Sequence, residues 1–283
     1  MLIDAHQHYW NPHEVRYPWM DPTDETLYKP YGPGDLEPFL RRHGIDGTVL
    51  VQSADSDEDT NFMFAIAAEH PHVWGVVGYL PLEDPVRSAE RLAELRARPG
   101  FVGVRNLIHD LPDPRWLLTP TVLESLALLE AEDVPFDLVA VIPEHLEVLL
   151  ELRRRLPELR IVIDHLGKPP FDAGPDAPWF GLIAQAAALP GVFAKISGLY
   201  PPHVEGRPAD LRPWVDRALH LFGPDRLMLG SDWPIAELAG GFDPVWESVV
   251  TALDGYGTAV TDALRATTAI TFYGLESRGT VTP

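Results

Sequence analysis

The chain has 283 residues, 46% of them hydrophobic and 23% charged, a globular balance that excludes wholesale disorder. Its 42 acidic and 22 basic side chains give a formal net charge of −20, a field that repels phosphate backbones and anionic lipid, so neither a nucleic-acid nor a membrane-surface role is expected. With no cysteine, disulfides, thiolate metal sites and cysteine nucleophiles are excluded, and any metal must be held by His, Asp, Glu, carbonyl or water.

Met1 leads straight into the apolar Leu2-Ile3, without the basic segment and apolar stretch of a secretory signal. No apolar run reaches the ~20 residues needed to span a bilayer, so a cytoplasmic location is the default expectation.

Eight short apolar runs, most of them β-branched, read as parallel strands buried on both faces: 2–8, 47–52, 74–79, 101–105, 135–139, 160–165, 192–197 and 226–230. Helical patterns alternate with them over 59–69, 85–97, 119–132, 144–156, 180–189, 210–222, 243–253 and 261–273. Thr119 followed by Pro120 reads as an N-cap and first helical residue. Many of the prolines fall in connections after strands, over 12–38, 112–120, 169–178 and 201–213.

Eight strand–helix units admit an open doubly wound sheet or a closed barrel. The count of eight, and the lack of a Gly-x-Gly-x-x-Gly turn after the first strand, favour the (β/α)8 TIM barrel, as one domain over 1–283. The length fits, since one such barrel takes roughly 250 residues.

Three strand ends carry chemistry. Ile3-Asp4-Ala5-His6-Gln7-His8 places His6 and His8 on one face of the first strand, with Asp4 one step below. Arg160 to Ile163 ends in Asp164-His165, followed by Leu166-Gly167-Lys168-Pro169. Leu227 to Gly230 ends in Ser231-Asp232-Trp233-Pro234, and barrel closure would bring Asp232 beside the first strand. Paired imidazoles suit a divalent ion or a polarised carbonyl, and a buried carboxylate beside them suits a general base or a metal ligand. Each motif alone also fits ordinary hydrogen-bonded residues.

Arg105, at the end of the fourth strand, presents a planar fork for a carboxylate or hydroxyls. Lys195 and Ser197 share a face of the seventh strand, and Lys195 is equally suited to a structural ion pair. Trp10 and Trp233, with Tyr9 and Trp19, are expected near the mouth, as ring platforms or as lid core. Asp137, Gln52 and Ser53 are weaker candidates. His13, His43, His70, His72, His109, His145, His203 and His220 read as ordinary histidines, His109 least firmly because it lies just past Arg105.

Taken in order, His6-Gln7-His8, Gly103-Val104-Arg105, Asp164-His165-Leu166-Gly167-Lys168-Pro169, Gly230-Ser231-Asp232-Trp233-Pro234 and the closing Phe272-Tyr273-Gly274-Leu275 resemble the amidohydrolase superfamily in its amidohydrolase-2 branch. The resemblance spans nearly the whole chain and is strongest to the sugar-lactonase group. It implies a distorted TIM barrel that hydrolyses a small sugar-derived lactone, a role in carbohydrate metabolism, with Asp232 as base and His6, His8 and His165 polarising the carbonyl directly or through a metal. It also implies Arg105 as a substrate anchor; Lys195, Trp10 and Trp233, by their places at strand ends and near the mouth, are expected as further substrate contacts. If a metal is bound, its ligands are His6, His8, His165 and Asp232, and zinc is the expected ion.

The sequence departs from two-metal relatives, having no lysine at the end of the fifth strand and a single persuasive later histidine, so one metal or none is expected. Thr268-Ala269 stands where relatives often carry Asn-Ala, which should affect packing only. Two other readings stay open: a zinc-dependent decarboxylase of an aromatic or muconic acid, and a non-catalytic barrel that binds a sugar acid. The oligomeric state is not written in any of these features.

Overall fold

A computed structural model describes residues 1–174, 176–200 and 210–279. Part of the proline-rich connection 201–213, His203 included, lies outside the described residues.

The eight expected strands are β1 (Ile3–Gln7), β2 (Gly47–Val51), β3 (Val73–Gly78), β4 (Phe101–Asn106), β5 (Phe136–Leu138), β6 (Ile161–Ile163), β7 (Val192–Ile196) and β8 (Leu227–Leu229). They pair in parallel and in sequence order. Nearly every strand residue is buried, which is why the runs are apolar on both faces.

The sheet closes at its upper rim. Asp232 donates its backbone N–H to the His6 carbonyl at 2.8 Å, and His8 donates to the Trp233 carbonyl at 2.7 Å. Below them Asp4 accepts the Ser231 N–H at 2.9 Å and stitches the same seam through its carboxylate. Register shifts along β1–β2, β2–β3 and β3–β4 distort the barrel.

Helices alternate with the strands: α1 (Pro33–His43), α2 (Asp57–Glu69), α3 (Pro85–Arg96), α4 (Pro120–Ala131), α5 (Pro143–Arg155), α6 (Pro178–Ala187), α7 (Arg212–Phe222) and α8 (Phe242–Thr251). The chain then runs through α9 (Thr258–Asp262), a π turn (Ala263–Thr267) and α10 (Thr268–Tyr273). α1 falls in the stretch expected to be a proline-rich loop. Pro33 occupies its first turn, where a missing N–H costs nothing, and Asp35 accepts the Gly32 N–H at 2.9 Å. Pro38 lies inside it, so one backbone bond is lost within an otherwise regular helix.

Thr119 does hold the N-cap position of α4, but its hydroxyl donates back to the Trp116 carbonyl at 2.9 Å instead of capping the helix. At the C-terminus Thr268 donates to the Pro224 carbonyl at 3.1 Å and Ala269 is buried. Tyr273 of α10 reaches inside the sheet, where its hydroxyl donates to Asp137 at 2.8 Å.

Candidate active site

His8, His165 and Asp232 lie just past the ends of β1, β6 and β8, where the chain leaves the ladder and side chains turn inward over the barrel. Two of these positions need unusual backbone. Asp232 has φ 57°, and His165 and Leu166 have φ 55° and 52°. Non-glycine residues in the left-handed region cost of order 1–3 kcal/mol each and persist where surrounding structure holds them.

The side chains converge on one point. The Oδ1 atom of Asp232 lies 3.4 Å from His8 Nε2, 3.6 Å from His6 Nε2 and 3.7 Å from His165 Nε2. The Nε2 atoms of His6 and His8 are 3.2 Å apart. All four side chains are almost fully buried.

Each imidazole is held from behind. His8 Nδ1 donates to the Val51 carbonyl at 2.7 Å, which leaves the Nε2 lone pair facing Asp232 and its neighbours. His165 Nδ1 meets Ser197 Oγ at 2.9 Å. His6 Nδ1 sits 3.2 Å from Asp164 Oδ1 and 3.0 Å from Lys195 Nζ. Burial, with Lys195 beside His6 and Arg105 beside His8, keeps both imidazoles neutral. Burial likewise lowers His165 to about 3. Burial alone would raise Asp232, but His165, His8 and Lys168 outweigh it and hold its carboxyl well below the usual range.

His6, His8 and Asp232 lie close enough together to share a divalent ion of the zinc type, and His165 Nε2 stands 3.7 Å from the same Asp232 oxygen. The two Nε2 atoms at 3.2 Å, with His8 presenting a lone pair, fit a shared cation. Without an ion, the His8 Nε2 lone pair suits accepting a hydrogen bond from a substrate hydroxyl.

Beneath the imidazoles lies a polar layer. Lys195 Nζ donates to Asp137 Oδ2 at 2.6 Å and forms an ion pair with Asp164 Oδ1 at 3.1 Å. Arg105 donates from Nη1 to Asp164 Oδ2 at 3.2 Å and from Nη2 to the Gln52 carbonyl. Asp164 therefore orients His6 and Arg105 together. Burial favours its neutral form, but Lys195 and His6 outweigh that and keep it ionised.

A cavity of about 220 Å³ opens above the cluster. His8, His165, Asp232, Arg105, Lys168, His109 and Ser53 supply its polar side. Trp10, Trp19, Leu107, Val139, Val141 and Ile235 supply an apolar side. The volume is below the roughly 300–1,000 Å³ of drug-sized pockets and suits a monosaccharide-sized ligand.

Arg105 and Trp10 thus border the cavity as expected. Two other expected substrate contacts need correcting. Lys195 is wholly buried under His6, neutralising two carboxylates, and does not border the cavity. Trp233 packs edge-on against Tyr9 and Tyr31, with its indole N–H on Glu237 at 2.9 Å. The turn at Asp232 breaks strand alternation and sends Trp233 into the core.

Several contributors escaped sequence reasoning. Tyr200 donates its hydroxyl to Asp232 Oδ2 at 2.9 Å. Lys168 borders the cavity and donates to the Gly198 carbonyl at 2.9 Å. Gly198, at φ 55°, leaves room for the cluster, since a Cβ there would fall 2.5 Å from His165 Nδ1 and 2.7 Å from Asp232 Oδ2. The run Ser197-Gly198-Leu199-Tyr200 after β7 was the available signal, and Lys168 stands in the quoted Asp-His motif. His109, read as ordinary, faces the cavity.

Comparison with known proteins shows the family of this chain. An L-fucono-1,5-lactonase of Burkholderia ambifaria is 40% identical over 245 residues, 85% of this chain and 82% of that protein. A second L-fucono-1,5-lactonase, from Burkholderia multivorans, is 33% identical over 270 residues, 87% of this chain and 86% of that protein. The crystal structure of a Burkholderia multivorans amidohydrolase with bound zinc superposes with a TM-score of 0.88 at 30% identity, covering 98% of this chain and all of that one. The amidohydrolase sequence pattern runs through residues 3–275, from the strand bearing His6 to the end of α10, so the chain belongs to the amidohydrolase family.

Proposed function

We propose that this chain hydrolyses a small sugar-derived lactone, L-fucono-1,5-lactone or a near relative. The observation that supports it most is the meeting of His6, His8 and His165 with one oxygen of Asp232 at the floor of a monosaccharide-sized cavity. The two lactonases of 40% and 33% identity supply the substrate class.

In this reading the lactone enters with its carbonyl towards the imidazoles. A divalent ion held by His6, His8, His165 and Asp232, zinc by its ligand chemistry, would supply Lewis-acid polarisation of that carbonyl. Asp232, ionised because its neighbours depress its pKa, takes a proton from water at Oδ2, the oxygen that Tyr200 steadies. The water oxygen bonds the carbonyl carbon, the ring C–O bond breaks, and Asp232 returns the proton to the departing ring oxygen. Arg105, Lys168 and His109 bind hydroxyls, while Trp10, Val139, Val141 and Ile235 cover the carbon face.

A panel of aldonolactones followed by acid release, with and without chelator, tests this. We expect turnover of L-fucono-1,5-lactone that chelator reduces and zinc restores. If no lactone opens above the spontaneous rate, or if an aromatic acid loses carbon dioxide instead, the proposal fails.

A further inference from the structure

Outside the barrel wall, α1 meets the connection between α2 and β3. There His70-Pro71-His72 repeats the His-x-His spacing of the catalytic strand, with a proline between the two imidazoles that fixes the intervening φ. His70 caps α2 and His72 immediately precedes β3, so both are anchored by regular structure. Glu37 projects from α1 to meet them.

The contacts are specific. Glu37 Oε1 lies 3.3 Å from His70 Nδ1 and 3.9 Å from His72 Nδ1. The three atoms all lie within 4.8 Å of one another. Arg41 approaches the other carboxylate oxygen, Oε2, at 3.6 Å, and leaves Oε1 to the histidines. An ordinary ion pair would need one imidazole, and here two turn the same nitrogen towards one oxygen.

A further observation concerns what stands behind the cluster. His72 is 1% exposed, and its far nitrogen, Nε2, meets the Tyr9 hydroxyl at 3.1 Å. With the proton on Nε2 and the Tyr9 oxygen accepting it, His72 Nδ1 keeps its lone pair towards Glu37 and His70, the arrangement in which a ring nitrogen held from behind leaves the other free to coordinate. His70 and Glu37 are partly exposed, at 31% and 24%, so water has access to complete the coordination.

We propose that Glu37, His70 and His72 form a second divalent-metal site, of the His2Glu type suited to zinc, that ties α1 to the start of β3. It is separate from the catalytic donor set and stands whether or not the lactonase reading does. Tyr9 follows His8 in the chain, so this site also braces the residue next to a catalytic imidazole.

Zinc titration of chelator-stripped protein against a chromophoric chelator tests the site. We expect the H6N/D232N variant, with the catalytic donors broken, to keep one zinc equivalent. E37Q and H70N, made separately at partly exposed positions, should each weaken that equivalent by at least about tenfold in the same background. Alone, they should leave the activity of the zinc-loaded enzyme unchanged. The proposal is overturned if H6N/D232N binds no zinc, or if E37Q and H70N bind it as tightly as their parent.

Discussion

Asp232 and His6 meet twice: the backbone N–H of Asp232 donates to the His6 carbonyl at 2.8 Å, and their side chains approach to 3.6 Å. The same seam therefore closes the barrel and assembles the histidine–carboxylate cluster. The bond that joins the ends of the sheet also sets the distance between carboxylate and imidazole. Gly230 lies on the same seam, where a Cβ would fall 2.7 Å from the His6 Cβ.

Asp232→Asn keeps the backbone bond and the shape while removing the proposed proton acceptor. General base catalysis contributes about 10²–10⁴ in rate, so turnover of the opened lactone should fall by at least about a hundredfold. The melting temperature should move little, because the seam remains. Near-normal turnover would show that another group accepts the proton.

Gly198→Ala places a methyl group within contact of both His165 and Asp232, at a backbone φ of 55°. Displacing a reacting group by about 1 Å can cost 10²-fold, and the backbone strain adds about 1–3 kcal/mol. We expect kcat/KM to drop by about a hundredfold, with a lowered melting temperature. An alanine variant with native kinetics would mean that the cluster tolerates rearrangement.

Lys195 holds together the carboxylates of Asp137 and Asp164, all three fully buried. Lys195→Met strands those charges, a loss that typically costs about 3–5 kcal/mol. Adding Asp137→Asn should recover part of that cost, giving a coupling well above the error in a double-mutant cycle followed by chemical denaturation. Strict additivity would mean that the ion pair does not bear on stability.

The barrel was readable because its strands are apolar on both faces, and the clustered histidines and Asp232 because they fall where those runs end. Alternation along β1 correctly put His6 and His8 together. It failed at Trp233, which follows a residue in the left-handed region, so the period of two no longer predicts direction. Lys195 could not be resolved from sequence, because its partners come from β5 and from the end of β6, far away in the chain. α1 was hidden by its own prolines. Tyr200 and Gly198 act through a loop whose geometry depends on the neighbouring strand ends.

Trp233→Phe tests the corrected placement directly. It removes an indole N–H bonded to Glu237 in the core, so stability should fall by about 1 kcal/mol with KM unchanged. Arg105→Lys should instead raise KM, since an ammonium cannot reproduce a fork that spans Asp164 and the Gln52 carbonyl at the cavity edge. A rise in KM for Trp233→Phe matching that of Arg105→Lys would return Trp233 to the substrate.

Asp59 makes stability depend on pH at a place away from the His6, His8, His165 and Asp232 cluster. Its carboxylate is fully buried at the start of α2, accepting the Ser53 and Ala54 N–H groups at 2.7 and 3.1 Å and the Tyr17 hydroxyl at 3.0 Å. Burial outweighs those donors and raises its pKa from 3.8 to about 6. The folded state therefore keeps this proton up to about pH 6, whereas the unfolded chain releases it near 3.8. Across that window the folded state binds more protons, so the contribution of Asp59 to stability is full below about pH 4 and is lost as pH rises, by about 3 kcal/mol in all. Asp59→Asn mimics the protonated form and should gain on the native protein between pH 4 and 7 when denaturation midpoints are compared. Parallel curves for the two proteins would place the Asp59 pKa near its ordinary value and remove this term.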